Sequence, residues 1–376
     1  MSKEANLLEA DPTGISLLHE LTLIESPSYD TAASERIARV IETHLEALGA
    51  QVRLIQTEAG TSLIADIPGT GAPVLFVGHT DTVWPVGTLD TTVPWSNSGD
   101  KITGPGVFDM KSGIVVMLLA LTRVAGRPHQ SVRIVLNCDE EVGSPTTTAL
   151  LEEVSQGTSA ILGFEPPHPD GALKLGRHGS TRLELTITGR AAHAALDPEL
   201  GISAIDELVD QLARIRGITA TQAVPPDVLC NVGTISGGGR ANVIPDTAVA
   251  ELGLRFINPL TEERVLGELQ QLSPIRPGAR IETKLLSNRP AWIASPSDTE
   301  LFARVREVGA TIGQDIEGRS ARGAGDTNFL STLGIPTLDG FGLSGAGAHA
   351  AHEHVIVETL SERADLIATI LLQTSN

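Results

Sequence analysis

The spacing of hydrophobic positions is typical of alternating helices and strands from about Ile15 to Gly176. Amphipathic helices are predicted at Ile15–Ile24 and Glu35–Leu48. Between turn or polar residues lie short apolar runs of the kind that form buried strands in a largely parallel sheet. These runs are Pro73–Gly78, Val132–Asn137 and Ala160–Phe164. The alternation predicts an α/β layer structure.

The pattern changes near Arg177, where a small α+β unit is predicted. Thr181–Thr188 alternates with period two, as a strand with one buried face does. The other predicted elements are a helix at Gly201–Ile215, strands at Val228–Ile235 and Ala248–Phe256, and a helix at Thr261–Leu272 capped by Thr261.

The α/β pattern resumes at about Pro290. Here the predicted elements are helices at Asp298–Ile312 and Leu360–Leu372 and a short strand at Pro336–Leu338. The middle unit is therefore inserted into the first domain. The predicted fold is α/β, a mixed, largely parallel sheet with helices on both faces formed by residues 1–177 and 290–376, with an inserted α+β domain at residues 178–289.

Charge and cysteine content exclude several classes of protein. The 376 residues carry a formal net charge of −19, which repels nucleic acid and anionic membranes. Cys138 and Cys230 are too few for a disulfide framework and lie in segments that resemble strands, so we expect buried free thiols. Met1–Gly14 lacks the apolar core of a signal peptide, and the longest apolar stretch, Gly113–Leu121, predicts a core helix. We expect a cytoplasmic protein.

His79 and Asp81 follow the first buried strand, in the run GHTDTV. In open α/β sheets, ligands bind at the carboxyl ends of the strands. Side chains at positions i and i+2 of an extended segment point the same way, so Asp81 can orient His79 as a metal ligand. A surface His–Asp pair explains this motif equally well.

Asp109 follows a glycine-rich turn in the run GPGVFDMKSG and precedes the apolar helix. Taken alone, it is typical of a capping aspartate. The glycine spacing matches neither the dinucleotide-binding fingerprint nor Walker A, so a phosphate loop is excluded.

Further acidic and histidine residues follow later strands. Asp139, Glu140 and Glu141 are consecutive, and a solvated acidic turn is one explanation for them. Adjacent carboxylates at the end of a buried strand repel one another, however, and a nearby cation offsets that repulsion. Glu165 lies in the run GFEP and His349 in GAHAAHEHV.

Zinc prefers imidazole and carboxylate ligands of this kind. The candidate ligands are His79, Asp109, Glu141, Glu165 and His349.

The series GHTDTV, GPGVFDMKSG, DEEVGS, GFEP and GAHAAHEHV resembles, in order and spacing, the metal-ligand motifs of the M20 family of metallopeptidases. The resemblance covers nearly the whole chain. The runs AHAALDPELG and NVIP are most similar to the carboxypeptidase G2, or glutamate carboxypeptidase, branch of that family. The resemblance implies a zinc-exopeptidase type of fold, in which residues 178–289 form a lid and dimerisation domain.

The resemblance also implies two zinc ions per chain, which cobalt or manganese can replace in similar sites. One ion is assigned to His79, Asp109 and Glu165, and the other to Asp109, Glu141 and His349, with Asp109 bridging.

The family's ligand histidine stands about four residues before an acidic residue. This spacing favours His349 over His352, because Glu353 follows His349 by four residues.

By the same resemblance, Glu140 is the general base and Asp81 the carboxylate partner of His79. In the inserted domain, His193 would stabilise the oxyanion, in its own chain or across a dimer, and Asn242 would contact the substrate. Arg289 would hold the substrate carboxylate. A plain surface residue of the inserted domain is the alternative for each of these three.

The activity implied is hydrolysis of an amide bond adjacent to a free carboxylate, releasing a C-terminal amino acid from an N-acyl or peptidyl substrate. The branch suggests glutamate, whose side chain Lys174 or Arg177 could contact, and a solvated surface residue is the alternative for either of them. An N-acyl-amino-acid deacylase of other specificity, similar to acetylornithine deacetylase, is the alternative. A non-catalytic binding protein would be expected to lack Glu140 or several ligands. A homodimer through the inserted domain is implied, with a small-molecule substrate as the other partner.

Overall fold

The computed structural model describes residues 12–221 and 223–373, which form two compact units. The first comprises the described residues up to Gly176, Ala294–Ala321 and those from Gly325 onward. The second comprises Arg177–Ile293 and Arg322–Ala324. The second unit therefore extends slightly beyond the predicted insertion, 178–289. Most of the predicted N-terminal segment, residues 1–11 of 1–14, lies outside the described residues.

The described helices begin and end within a few residues of the predicted limits where a prediction was made. They are α1 (Pro12–Thr22), α2 (Thr31–Ala47), α3 (Ser112–Val124), α4 (Thr148–Ser155), α5 (Ala204–Ile218), α6 (Pro259–Gln270), α7 (Pro296–Thr311), α8 (Asp326–Ser331) and α9 (Glu358–Leu372).

The described strands are numbered in chain order. They are β1 (Gln51–Gln56), β2 (Thr61–Ile67), β3 (Thr70–His79), β4 (Ser96–Asn97), β5 (Lys101–Thr103), β6 (Gln130–Asn137), β7 (Ala160–Gly163), β8 (Leu173–Arg177), β9 (Gly179–Thr188), β10 (Ala192–His193), β11 (Val228–Gly237), β12 (Val243–Ile244), β13 (Thr247–Phe256), β14 (Arg280–Arg289), β15 (Trp292–Ile293), β16 (Gly318–Ala321), β17 (Thr337–Leu338), β18 (Gly345–Ala346) and β19 (His354–Ile356).

The first unit is built on a six-stranded sheet with the order β1-β2-β6-β3-β7-β17. The pairings β6–β3, β3–β7 and β7–β17 are parallel, whereas β1–β2 and β2–β6 are antiparallel. The face that carries Phe76 and Leu162 packs against α1, α2, α3, α7 and α9. The opposite face, with Val77 and Ile161, packs against α4 and α8. The predicted mixed sheet with helices on both faces is confirmed.

A second sheet of the first unit, β18-β19-β5-β4, is antiparallel. Its strands are short, and the loop between β18 and β19 carries residues 347–353. The pairing of His354 with Thr103 holds this loop beside the glycine-rich turn that follows β5.

The second unit is a four-stranded antiparallel sheet, β11-β13-β9-β14. One face packs against α5 and α6 through alternating apolar residues such as Leu183, Leu185 and Ile187 of β9. This burial explains the period-two pattern in the sequence. A separate pairing of β10 with β12 places His193 opposite Val243.

One local prediction was wrong, and another is confirmed only in part. Helix α6 is capped by Asn258, whose Oδ1 accepts a hydrogen bond from Thr261 N at 2.8 Å, so Thr261 lies inside the first turn. Pro259 is accepted at the start of the helix because a backbone N–H at this position would have no partner within the helix. Both cysteines are free thiols, but only Cys138 is buried and it follows β6 directly; Cys230, in β11, is half-buried.

The apolar stretch predicted as a core helix lies within α3, which is buried on nearly all sides. Among the described helices, none has the length and apolar character needed to cross a membrane.

Candidate metal centre

Neighbouring parallel strands of the first unit present polar side chains at one edge of the sheet. His79 is the last residue of β3. The strands on either side, β6 and β7, end shortly before Glu140 and Glu165 respectively. Because the carboxyl ends of parallel strands meet at the same edge, the three side chains converge. Ligand atoms of His79, Glu140 and Glu165 lie within 4.8 Å of one another.

Asp109 and His349 reach this edge from the second sheet of the first unit. Asp109 lies in the turn between β5 and α3, and the Asp109–Met110 peptide bond is cis. His349 lies in the loop between β18 and β19, with a positive φ of 60°. The side chain of Asp109 does not cap α3. The capping alternative for Asp109 is therefore not what the structure shows.

The Asp109 carboxylate faces a different histidine with each oxygen. His79 Nε2 lies 3.5 Å from Asp109 Oδ1, and His349 Nε2 lies 3.4 Å from Asp109 Oδ2. On one side, His79 Nε2 is also 3.4 Å from Glu165 Oε1. On the other, His349 Nε2 is 3.1 Å from Glu141 Oε2. The five predicted ligands thus form two groups that share Asp109.

The donor set fits metal ions. His79 Nε2 and Glu141 Oε1 are buried atoms with no hydrogen-bond partner among the described residues. A buried polar atom without a partner is costly, and a coordinated cation removes that cost. Imidazole nitrogens and carboxylate oxygens are ligands that zinc accepts.

The electrostatics of the cluster are those of a site that attracts positive charge. Hydrogen bonding to Asp109 and Glu141 raises the pKa of His349 to about 10. Burial lowers the pKa of His79, but the facing carboxylates of Asp109, Asp81 and Glu165 outweigh it and the pKa is raised well above its usual value. Burial and the charge of Asp109 raise the pKa of Glu141, although His349 opposes this.

Asp81 has two kinds of contact in the site. Its backbone carbonyl oxygen lies 2.9 Å from His79 Nδ1, and its carboxylate Oδ1 lies 3.3 Å from the same atom. The carbonyl can only accept, so the ring proton is assigned to Nδ1 and Nε2 is the atom available to a metal ion. The carboxylate also accepts hydrogen bonds from Glu140 N and Glu141 N, each at 3.1 Å, and from Ser28 Oγ at 2.6 Å.

The remaining predicted residues belong to the second unit. His193 and Asn242 are exposed and Arg289 is half-buried at the end of β14. His193 Nδ1 accepts hydrogen bonds from Ala195 N at 3.2 Å and Leu196 N at 3.1 Å.

Arg177 is buried at the end of β8, and its Nε donates to the Gly323 carbonyl oxygen at 2.8 Å. This contact lies within the second unit. It fixes one side of the guanidinium to the backbone.

Sequence reasoning missed the part that Glu353 and Ser28 have in this region. Glu353 served only to select His349 over His352, yet it is fully buried and accepts hydrogen bonds from the turn that carries Asp109. A glutamate inside a His-rich tract was the available signal. Nothing in the sequence around Ser28 marks its bond to Asp81.

The α/β fold and this shared-carboxylate donor set define a candidate metallohydrolase. Residues 75–373 match Peptidase family M20/M25/M40, and the chain belongs to this family. Carboxypeptidase G2 of Pseudomonas sp. (strain RS-16) is 28% identical, over 97% of this chain and 90% of that protein. The succinyl-diaminopimelate desuccinylase of Magnetococcus marinus is 29% identical, over 93% of this chain and 95% of that protein.

A solved structure supports the same fold. The YXEP protein of Bacillus subtilis, a dinuclear metal binding peptidase from M20 family, has a TM-score of 0.65 at 18% identity. The match covers 95% of this chain and 96% of that one. The family match over residues 75–373 makes the chain an M20 metallohydrolase of the peptidase or amidohydrolase type.

Proposed function

We propose that the protein is a two-zinc hydrolase that cleaves an amide bond beside a free carboxylate and releases a C-terminal amino acid, glutamate. The proposed metal site rests on one observation: the two oxygens of the Asp109 carboxylate face His79 and His349. The dinuclear metal site of the YXEP protein supports it. The similarity to carboxypeptidase G2 supports the substrate class.

In this proposal, His79, Asp109 and Glu165 hold one ion and Asp109, Glu141 and His349 hold the other. When bound, zinc lowers the pKa of water toward neutrality and polarises a carbonyl group. The chain's own residues supply the remaining chemistry.

Glu140 is the proposed general base. It is buried beside His79 and Glu165, and Asp81 fixes its backbone through the 3.1 Å bond to Glu140 N. Its carboxylate takes a proton from the attacking water and delivers it to the leaving amine. A non-catalytic binding role would not need an acid that is held in this place.

His193 is the proposed hydrogen-bond donor to the developing oxyanion. Its Nδ1 accepts from two backbone N–H groups, Ala195 N and Leu196 N, so the ring proton of the neutral side chain is assigned to Nε2. An exposed Nε2–H suits stabilisation of a negative oxygen.

The substrate's own groups are assigned to three further residues. Arg289 is proposed to bind the free carboxylate, since a planar guanidinium holds a carboxylate through two parallel hydrogen bonds. Asn242 is proposed as an amide contact, and Arg177 as a contributor to recognition of the released side chain.

A second candidate is an N-acyl-amino-acid deacylase with a different acyl preference. The similarity to succinyl-diaminopimelate desuccinylase, at 29% identity, favours it to a comparable degree. Both candidates use the same metal site and the same general base, and they differ in which N-acylated amino acid is cleaved.

We further propose a homodimer formed through the second unit, in the cytoplasm. Large apolar side chains are exposed on α5 and on β11, an edge strand of its sheet: Val209 is 59% exposed, Leu229 58% and Ile235 60%. Apolar residues at a sheet edge favour association. Light scattering of wild type and Val209→Glu tests the dimer, which the charged side chain should dissociate.

Free thiols at both cysteines support the proposed cytoplasmic location, because they are compatible with a reducing compartment.

Hydrolysis assays test the activity. Zinc-loaded wild type, Glu140→Ala and the control Glu152→Ala, an exposed acid on α4, would be given N-benzoyl-glutamate, a folate-like glutamyl conjugate and a panel of N-acetyl and N-succinyl amino acids. We expect glutamate release that falls by about 10²–10⁴-fold in Glu140→Ala and is unchanged in Glu152→Ala.

The other outcomes distinguish the alternatives. Turnover of only other N-acyl amino acids would keep the mechanism and discard glutamate. No turnover of any substrate by protein that holds two zinc ions would leave a binding role.

A further inference from the structure

Glu353 is a fully buried carboxylate that accepts hydrogen bonds from several backbone groups of one turn. Its Oε1 accepts from Phe108 N at 2.9 Å and Asp109 N at 3.2 Å. Its Oε2 accepts from Gly106 N at 3.0 Å and from Trp84 Nε1 at 2.6 Å. Each carboxylate oxygen therefore accepts two hydrogen bonds. Three of the four donors are backbone N–H groups of the turn around Asp109.

Glu353 also belongs to the loop that carries His349. Its backbone N donates to the Ala350 carbonyl at 2.9 Å, and Ala350 N donates to the Gly347 carbonyl at 2.8 Å. A Cβ at Gly347 would lie 2.8 Å from Glu353 N, so this loop is tightly folded. One side chain thus joins the loop of His349 to the turn of Asp109.

The backbone of that turn pairs with itself only in part: Lys111 N donates to the Gly106 carbonyl at 2.9 Å and Val107 N to the Gly104 carbonyl at 3.3 Å. Asp109 (φ −119°, ψ 95°) and Met110 (φ −131°, ψ 33°) both have non-helical dihedral angles within this segment. N–H groups in such a turn cannot all find carbonyl partners, and buried N–H groups without acceptors are costly. The Glu353 carboxylate satisfies three of them at once, and charge-assisted bonds of this type are about twice as strong as neutral ones.

We propose that Glu353 is a positioning residue for the metal ion assigned to Asp109, Glu141 and His349. Through its bonds it sets the 3.4 Å separation between His349 Nε2 and Asp109 Oδ2. The other ion depends less on Glu353, since His79 and Glu165 are held by β3 and the end of β7. This inference rests on the proposed two-metal site.

The informative substitution is Glu353→Gln. The amide has the same shape, but its NH₂ group replaces one acceptor and would face two N–H donors. Asp298→Asn is the matched control: Asp298 is also buried in the first unit, and accepts from Ser295 N at 2.8 Å and Thr337 N at 2.6 Å. It touches no candidate ligand in these bonds.

Zinc titration of metal-free protein against a chromophoric chelator tests the proposal, with the cobalt absorption spectrum as a second readout. We expect wild type and Asp298→Asn each to take up two zinc ions, and we expect the affinity for each ion to be the same in both proteins. In Glu353→Gln we expect one affinity to be kept and the other to fall by about 10–100-fold, the usual effect of losing a group that orients a ligand. The cobalt spectrum should change only in Glu353→Gln.

Two outcomes would overturn the inference. Unchanged affinities and an unchanged cobalt spectrum in Glu353→Gln, with a lower melting temperature like that of Asp298→Asn, would show a structural role alone. Wild type that binds no zinc would instead overturn the two-metal site itself, and this inference with it.

If Glu353→Gln does not fold, Trp84→Phe provides the test. It removes a single donor to Glu353 Oε2 and keeps an aromatic side chain. A several-fold loss of one zinc affinity is expected, and no change in either affinity would contradict the proposal.

Discussion

Two glutamates with buried side chains, one in each unit, show opposite ways of placing a carboxylate inside a protein. Glu207, on α5 of the second unit, accepts hydrogen bonds at 2.8 Å from Gln211 Nε2, Ile275 N and Arg276 N. Glu141, in the first unit, has one oxygen with no hydrogen-bond partner among the described residues and the other 3.1 Å from His349 Nε2.

Their pKa values are shifted in opposite directions. Burial raises the pKa of Glu207, but hydrogen bonds from Gln211, Ile275 and Arg276 outweigh it and the pKa is lowered overall. For Glu141, burial and the charge of Asp109 outweigh the opposing effect of His349, and the pKa is raised. A carboxylate supplied with donors is a structural group, whereas one left with like charges and too few donors marks a place for a cation.

The largest effect is expected from Asp109→Asn, which removes the ligand that we propose is shared by both ions. If both ions use this carboxylate as proposed, the loss should reach both of them: zinc content should fall well below two per chain and turnover by more than about 10³-fold. Elemental analysis and steady-state kinetics measure these. Glu207→Gln is the control, and it should keep two ions. Full zinc content in Asp109→Asn would contradict the bridging assignment.

Glu207→Gln should instead destabilise the second unit. In the variant, the side-chain NH₂ group replaces one carboxylate oxygen and faces N–H groups that this oxygen had accepted from. The loss of these hydrogen bonds should lower the free energy of unfolding by about 2–4 kcal/mol. Urea unfolding followed by circular dichroism measures it. A change below about 0.5 kcal/mol, the usual range for surface substitutions, would show that the bonds to Glu207 contribute little.

Zinc should stabilise the protein through the first unit. Binding to the folded state alone adds about 2.7 kcal/mol per site at a free zinc concentration 100 times the dissociation constant. Calorimetry with zinc and with a chelator measures the shift in melting temperature. The shift should persist in Glu207→Gln and be largely lost in Asp109→Asn. An equal shift in both variants would place the stabilising ion elsewhere.

The smallest effect concerns pH. The pKa of Glu207 is lower in the folded protein than its ordinary value of 4.5. Its contribution to stability is therefore present above about pH 4.5 and is lost as pH falls through the lowered pKa, because the unfolded chain binds the proton first. The difference in unfolding free energy between wild type and Glu207→Gln should shrink from pH 6 to pH 3. A difference that grows over this range would reverse the sign of the shift.

The sequence predicted the layers of the fold because they depend on local periodicity. Runs such as Val132–Asn137 are buried on both sides of a sheet, and the alternation in Thr181–Thr188 reflects one buried face, so each pattern has a single physical cause. The predicted N-cap of α6 was wrong because Asn258 and Thr261 are both good capping residues, and the local sequence does not distinguish them. In the structure, Asn258 is the cap.

The candidate site was predictable only in part. His79, Asp109 and His349 were found by the order and spacing of motifs that resemble a known family. The contacts that hold them were not, because they join distant parts of the chain: Glu353 and Phe108 are separated by 245 residues and Asp81 and Glu140 by 59. Local patterns carry no information about such pairs.

The central claim, that Asp109 is shared by two metal ions, is tested most directly by a crystal structure of the zinc-loaded protein with anomalous difference maps at the zinc edge. We expect two peaks roughly 3.5–4 Å apart on either side of the Asp109 carboxylate, one beside His79 and Glu165 and the other beside Glu141 and His349. A single peak, or two peaks that do not both contact Asp109, would contradict the claim.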